Sequence, residues 1–455
     1  MPVNRPARQG LRLRNGLQFA RYKPPAGRRP TPRRRNYVIV STFPDVTRPT
    51  GRQWSPVSAL AYNPGVPETG SFARRSAADR CPGVLRLTEA ADGLLARVRL
   101  PGGLVSAEQL RVLALLADEL ADGRVELTSR GNVQLRGLTG AAASPLTSEL
   151  VQAGLLPSLS HDRVRNVLAS PLAGLDRGSD LTGIVRSLDA ALCARPRLAE
   201  LPGRFLFAVD DGRGDVAGLG ADVVATVRAD GAVVNGLAVG TAGGVADKLR
   251  DDIAAVMLAC AEAFLDLRAE LDHGAWRIAD LPAGPERVRA LVAERFGLAA
   301  AQQEIVASQA TRPVGLSPGR EGAAGSVVLL APLGRLTSAQ ASWVADRVAE
   351  REARITPWRS LVLPCLDDAA GVLREAAGLG FGTDDASPWL RVTACTGRPG
   401  CASALADVQA DAAGFAARWP GRIVHVSGCA RHCGRPAATE IDVTATSEGY
   451  SIAGV

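Results

Sequence analysis

The chain has 455 residues but only four histidines and two methionines, aromatic residues make up 4% of it, and acidic residues are nearly missing from its first 80 positions. No window approaches an uninterrupted apolar run of about 18 to 20 residues, which leaves no candidate for a membrane-spanning helix. The opening MPVNRPARQGLRLRNG lacks the apolar core and small-residue cleavage site of a secretory leader, so a cytoplasmic enzyme is the expectation. The net charge of +7 is unevenly spread: residues 1–80 hold 16 Lys and Arg against 3 Asp and Glu, and the rest 37 against 43. That first segment is rich in Arg and Pro and has the composition of a disordered chain. No aromatic stacking pattern accompanies its arginines, so it reads as a solvated leader or an over-extended start rather than a nucleic-acid arm, and no nucleic-acid partner is expected. A Gly-x-Gly-x-x-Gly turn following a strand is also missing, so any nicotinamide-derived electrons must come from a separate protein.

The chain does have cysteines in an informative place. Cys395, Cys401, Cys429 and Cys433 fall in the last 61 residues, while Cys81, Cys193, Cys260 and Cys365 are scattered. Scattered cysteines in a cytoplasmic chain read as small buried hydrophobes, and the clustered four read as metal ligands. Each pair follows a strand at a glycine-flanked turn, in TACTGRPGC and in VSGCARHCG. Loops from adjacent strand ends can converge on one centre. A cubane iron–sulfur cluster needs this, because its four irons each take one thiolate and lie too far apart for a tight knuckle. Four thiolates also satisfy tetrahedral zinc, but zinc knuckles use gaps of about two to four residues, and the five-residue gap between Cys395 and Cys401 favours the cubane.

From residue 81 the pattern is that of a folded protein built twice. GLLARVRLPGG (93–103) alternates like a strand, with Arg97 and Arg99 on one face. SAEQLRVLALLADELADG follows, with a Ser106/Gln109 capping box and leucines at helical spacing, and then RVELTSRGNVQLRGL gives two short strands. The same order recurs about 230 residues later: APLGRLTSAQ matches LPGGLVSAEQ, and RITPWRSLVL matches ELTSRGNVQL. Each opening unit is followed by a longer α/β stretch, and TRPVGLSPGREGAA (311–324) is the expected link between halves.

The C-x5-C…C-x3-C pattern, together with LTSRGNVQL, DRVRNV and LPGRF in that order, resembles the nitrite/sulfite reductase superfamily over about residues 81–440. The resemblance implies an α+β, internally duplicated nitrite/sulfite reductase fold, with two ferredoxin-like half-domains and two α/β domains in a pseudo-twofold arrangement. The expected divisions are a basic extension at 1–80, half-domains at 81–145 and 311–370, and α/β domains at 146–310 and 371–455, the last holding a [4Fe–4S] cluster on Cys395, Cys401, Cys429 and Cys433. Within the superfamily, CPGVLRL, LPGRFLFAVDDG and TPWRSLVLP resemble the precorrin-3B synthase family. That family hydroxylates precorrin-3A at the meso carbon C20 with O2 and closes a γ-lactone in aerobic cobalamin synthesis. The implied partners are precorrin-3A, O2 and a separate NADH-dependent electron donor.

Reductases of the superfamily carry a second basic residue two positions after the one in LP-x-K. Here the first is Arg204 and the second is Leu206, which argues against the alternative, a sirohaem-dependent nitrite or sulfite reductase, and makes sirohaem the less favoured cofactor. The substrate carries many carboxylates, which guanidinium forks bind bidentately. By motif position the resemblance assigns Arg97 or Arg99, Arg130, Arg165 and Arg204 to tetrapyrrole binding, with Gln134 and Asn166 as neutral partners. Trp358 and Arg359 are weaker candidates for the other edge of the ring. A mononuclear non-haem iron, the expected oxygen-activating centre, uses two histidines and a carboxylate. His161, beside Asp162, and His432 are either ligands or hydrogen-bonding neighbours, and His273 and His425 are structural.

Overall fold

A computed structural model describes Asp79 and residues 81–454, except 241–245, 272–273, 302–312, 321–323 and 437. The basic segment before Asp79, His273 and part of the 311–324 stretch lie outside the described residues. Among the described residues no helix is long and apolar enough to cross a membrane.

The two opening units form two antiparallel five-stranded sheets, and each sheet borrows an edge strand from the other unit. The first runs Thr88–Ala90, Gly93–Val98, Val133–Leu138, Arg124–Leu127, with Arg335–Thr337 of the second half at its edge. The other runs Gly315–Ser317, Ser326–Leu330, Ser360–Leu363, Glu352–Ile355, closed by Leu104–Ser106 of the first half. The exchange is symmetric in register as well: Arg335 faces Glu126, and Arg354 faces Leu104. Each borrowed strand leads straight into a helix. Ser106 and Gln109 cap Ala107–Leu120 reciprocally, and Thr337 and Gln340 do the same for Ser338–Val348. Each cap stabilises its helix start by about 1 kcal/mol. The two helices pack on one another, and Leu110, Leu113, Val344 and Val348 share one core with both sheets.

The duplication extends to single hydrogen bonds. Thr128 N donates to Asn132 O and Asn132 N to Thr128 Oγ1; Thr356 N donates to Ser360 O and Ser360 N to Thr356 Oγ1. Arg359, at φ 62°, occupies the position that Gly131 holds at φ 64°. The left-handed conformation costs a non-glycine residue roughly 1–2 kcal/mol. The expected link at 311–324 is corrected in one respect: its described part contains the strand Gly315–Ser317, which belongs to the second sheet. Three residues flanked by Pro and Gly gave no readable alternation.

The two longer stretches form α/β layers of matching design, the first on a five-stranded sheet and the second on a four-stranded one. Val167–Ala169, Phe207–Asp210 and Val223–Arg228 run parallel, and Gly231–Val234 returns antiparallel. Val392–Ala394, Val424–Ser427 and Ile441–Thr446 run parallel, and Gly449–Ala453 returns antiparallel. The equivalence is residue by residue where the strands end: Ser170 N donates to Val209 O, and Cys395 N donates to Val426 O. Loops leaving the carboxyl ends of parallel strands are where such sheets place their sites.

The first layer fills these loops with carboxylates. The side chains of Asp210, Asp211 and Asp215 lie within 4.8 Å of one another. Asp210 accepts from the backbone N–H groups of Gly212, Gly214, Val216 and Ala217, and Arg213 pairs with Asp211 and Asp176. Asp215, buried and accepting from Ser170 Oγ at 2.5 Å, has its pKa pushed by burial up to about 6. A raised carboxyl pKa favours the folded state at low pH; that contribution is complete below about pH 4 and is lost as pH rises through 6. Asp215→Asn is therefore expected to gain on the wild type by roughly 3 kcal/mol between pH 4 and pH 7, at about 1.4 kcal/mol per unit. Thermal unfolding of both proteins across that window checks it, and a constant difference would refute it.

Candidate redox and tetrapyrrole site

The second α/β layer fills the same loops with thiols. Cys395 follows Val392–Ala394 directly and Cys429 stands two residues after Val424–Ser427. All four clustered cysteines are free and line one cavity of about 640 Å³, which Thr88, Leu95 and Arg136 of the first sheet also line. Gly428 N donates to Cys395 Sγ at 3.1 Å, the type of bond that stabilises a thiolate. A Cβ at Gly428 would stand 2.8 Å from Ala404 Cβ, so the loops approach each other only because residue 428 has no side chain.

The spacing of the sulfurs separates two metal chemistries. A tetrahedral zinc with bonds of about 2.3 Å holds its sulfurs about 3.8 Å apart. Among the described residues the one trio of ligand atoms within 4.8 Å is the aspartate trio, so no three of these sulfurs are that close. A cavity lined by all four thiols fits a cubane, whose corners each take one thiolate, and the sulfurs stand wider apart here than a single tetrahedral zinc holds them.

A second cavity of about 460 Å³ shares Cys395 and Cys433 with the first. Ser129, Gln134, Trp358, Arg359 and Trp389 line it, so the two duplicated turns meet across it. Trp358 stands where the first half has Arg130, an exchange of a cation for a flat apolar face. Gln134 is fixed by accepting from Arg97 Nη2 at 3.0 Å and donating to Glu126 at 2.6 Å. Arg97 has Arg99 and Arg130 for neighbours; none of the three lines this cavity, and Arg99 lines a separate one of about 150 Å³ with Arg165 and Asp189. Arg99 is 3% exposed, and its Nε and Nη1, like Nε of Arg97, have no hydrogen-bond partner among the described residues. Burial, and then the charge of Arg97, pull the Arg99 pKa down to about 9; burial also lowers those of Arg97 and Arg130. Unsatisfied buried guanidinium N–H groups are costly, and their natural complement is a carboxylate.

Arg130 reaches Gly203 O at 3.2 Å, which ties the SRGN turn to the LPGRF loop. Arg204 is exposed and stacks on Trp276 at 4.4 Å. Leu206, 3% exposed, packs on Leu168, Ala208 and Val216. Position 206 thus contributes no cation.

Two expected ligand-binding residues are placed otherwise. Arg165 forms a bidentate pair with Asp189, both bonds at 2.7 Å, and donates to Leu155 O. Asn166 donates to the carbonyls of Arg163, Gly203 and Phe205, and its oxygen accepts from Asn132. Both side chains turn into the fold, where they anchor the helix Thr182–Cys193 and brace three loops.

The iron candidates also differ from expectation. His161 is buried, with Nδ1 at 2.8 and 3.0 Å from Ser158 and Ser160 and Nε2 donating to Arg195 O. Both ring nitrogens are consumed. His432, partly exposed, pairs with Asp442 at 3.1 Å. His425 is fully buried against Thr393, and burial lowers its pKa to about 4. Among the described residues no two-histidine, one-carboxylate trio converges, so these side chains do not fit a mononuclear iron.

The sequence reading missed Cys81 and Arg136. The sequence makes Cys81 a small buried hydrophobe, but it stands near Arg99 and Arg130 and beside Gly203, with a thiol pKa raised by burial and by Asp79. A lone cysteine gave no signal. Arg136 had one: it lies two positions from Gln134 on the same strand, hence on the same face.

The fold and the half-domain define the class. Residues 86–153 match the nitrite/sulfite reductase ferredoxin-like half domain. The NirA protein of Mycobacterium tuberculosis superposes with a TM-score of 0.61 at 21% identity, covering 79% of this chain and 73% of that one. The chain has the nitrite/sulfite reductase fold and resembles enzymes of that superfamily along about four fifths of its length. Particular relatives are a ferredoxin–nitrite reductase of Synechococcus elongatus, 27% identical over 401 residues (79% of this chain, 78% of the relative), and the precorrin-3B synthase of a Sinorhizobium species, 26% identical over 383 residues (82% of each).

Proposed function

We propose that the protein is an oxidoreductase of the precorrin-3B synthase type, hydroxylating precorrin-3A at C20 with O2 and forming the γ-lactone. The observation that carries this over nitrite or sulfite reduction is Leu206. A buried leucine in an apolar cluster stands where a small anionic substrate would need its second cation.

Cys395, Cys401, Cys429 and Cys433 would hold a [4Fe–4S] cluster, which when bound supplies single electrons. The remaining chemistry belongs to the protein's own side chains. Arg97 and Arg99 would offer unpaired buried N–H groups to substrate carboxylates and Arg130 a half-buried guanidinium, Gln134 offers a fixed amide, and Trp358 offers a flat face to a macrocycle. Orienting a polyanionic ring by several forks also fixes which meso carbon meets oxygen. One oxygen atom enters the substrate and the other leaves as water, which consumes two electrons and two protons. A separate NADH-dependent donor provides the electrons. No step is assigned to a mononuclear iron.

The test is anaerobic purification, then incubation with precorrin-3A, O2 and a reductant, with mass spectrometry of the product. A product heavier by one oxygen atom, free or as the lactone, is expected. Unchanged precorrin-3A together with six-electron reduction of nitrite or sulfite would replace this reading.

A further inference from the structure

Arg136 lies in the middle of Val133–Leu138 with 6% of its surface exposed. Its Nε and Nη2 donate to Asp92 at 3.1 and 3.0 Å, and Nη2 also donates to Gly400 O at 3.0 Å. Gly400 immediately precedes Cys401, and Arg136 lines the cavity of the four cysteines. The fit is close: a Cβ on Gly400 would stand 2.7 Å from Arg136 Nη2 and 3.0 Å from Asp92 Oδ2. A buried ion pair of the first half-domain is thereby pressed against the cysteine loop of the last domain, with the cation on the cavity wall.

We propose that the Asp92–Arg136 pair is a positioning and tuning device that sets the reduction potential of the cluster, an inference that rests on the cluster reading above. A cubane with four thiolates carries two negative charges and gains a third on accepting an electron. In a partly buried site of low effective dielectric, a fixed cation on the wall favours the reduced form and a fixed anion opposes it. Arg136 stabilises the added charge, and Asp92 moderates Arg136. The two residues therefore act in opposite directions on one quantity, which a purely structural clamp would not do.

The experiment is an anaerobic potentiometric titration of the full-length protein with dithionite as the electron source, the cluster followed by electron paramagnetic resonance, and iron and acid-labile sulfide counted in every sample. Asp92→Asn is expected to shift the potential upward and Arg136→Gln downward, with Arg136→Lys between Gln and wild type and the double variant Asp92→Asn/Arg136→Gln close to wild type. Shifts of both single variants in the same direction, or no shift in fully loaded protein, would overturn the proposal. If Arg136→Gln loses iron, Asp92→Asn decides alone, and the lack of an upward shift refutes it. Wild-type protein without iron and sulfide overturns the cluster reading itself, an outcome the element counts make distinct.

Discussion

Replacing any one of Cys395, Cys401, Cys429 or Cys433 by alanine is expected to abolish the iron–sulfur absorption proposed for the anaerobically purified protein, whereas Cys193→Ala and Cys260→Ala are expected to leave it intact. The difference follows from placement. The four line one cavity, while Cys260 is enclosed in the core of the first α/β layer and Cys193 packs against it. Burial lifts the Cys260 thiol to about 12 and the Cys193 thiol to about 11, so neither offers a thiolate at neutral pH. Cluster ligation needs all four corners, so each ligand loss removes most of the iron and sulfide rather than a quarter of it. Visible absorption with iron and sulfide counts reads this directly. Equal losses in the two groups would remove the assignment.

The second large effect separates two arginines that the sequence motifs treat alike. Arg97→Met is expected to lower kcat/KM for precorrin-3A by about 10- to 100-fold, the equivalent of one charge-assisted hydrogen bond, with stability within about 1 kcal/mol of wild type. Arg97 has a buried nitrogen with no partner, so its removal strands little besides Gln134. Arg165→Met should instead destabilise the protein by about 3–5 kcal/mol, because it leaves the Asp189 carboxylate, mostly buried, without its counter-charge. Unfolding curves and steady-state kinetics on both variants decide the matter. A stable Arg165→Met protein with a large KM would return Arg165 to the ligand site.

These two residues also mark the limit of what the sequence disclosed. Arg97 lies on a regular strand, where period two states which face a side chain takes, and it stands opposite Gln134 as that rule requires. Arg165 and Asn166 sit in the turn before Val167–Ala169, where no period applies, and only the partners Asp189 and Gly203 reveal which way they point. The duplicated fold was legible because capping boxes and Pro-containing turns repeat in kind and order. The strand exchange was not, because strands of three residues carry no alternation and their partners lie more than 200 positions away. Cysteine spacing disclosed the thiol cavity, but Arg136 owes its place there to Asp92 and Gly400, contacts at separations of 44 and 264 residues.

The exchanged edge strands carry a historical consequence. If each half were a chain of its own, Leu104–Ser106 and Arg335–Thr337 would be the swapped arms of a twofold dimer, each arm completing the sheet of its partner. Joining two such copies end to end turns an isologous dimer into a single molecule without altering one backbone pairing. Once the copies are fused, their loops no longer have to be identical. One pair could become thiols and the other ion-paired carboxylates, so that a symmetric ancestor gave rise to a protein with a chemically distinct side.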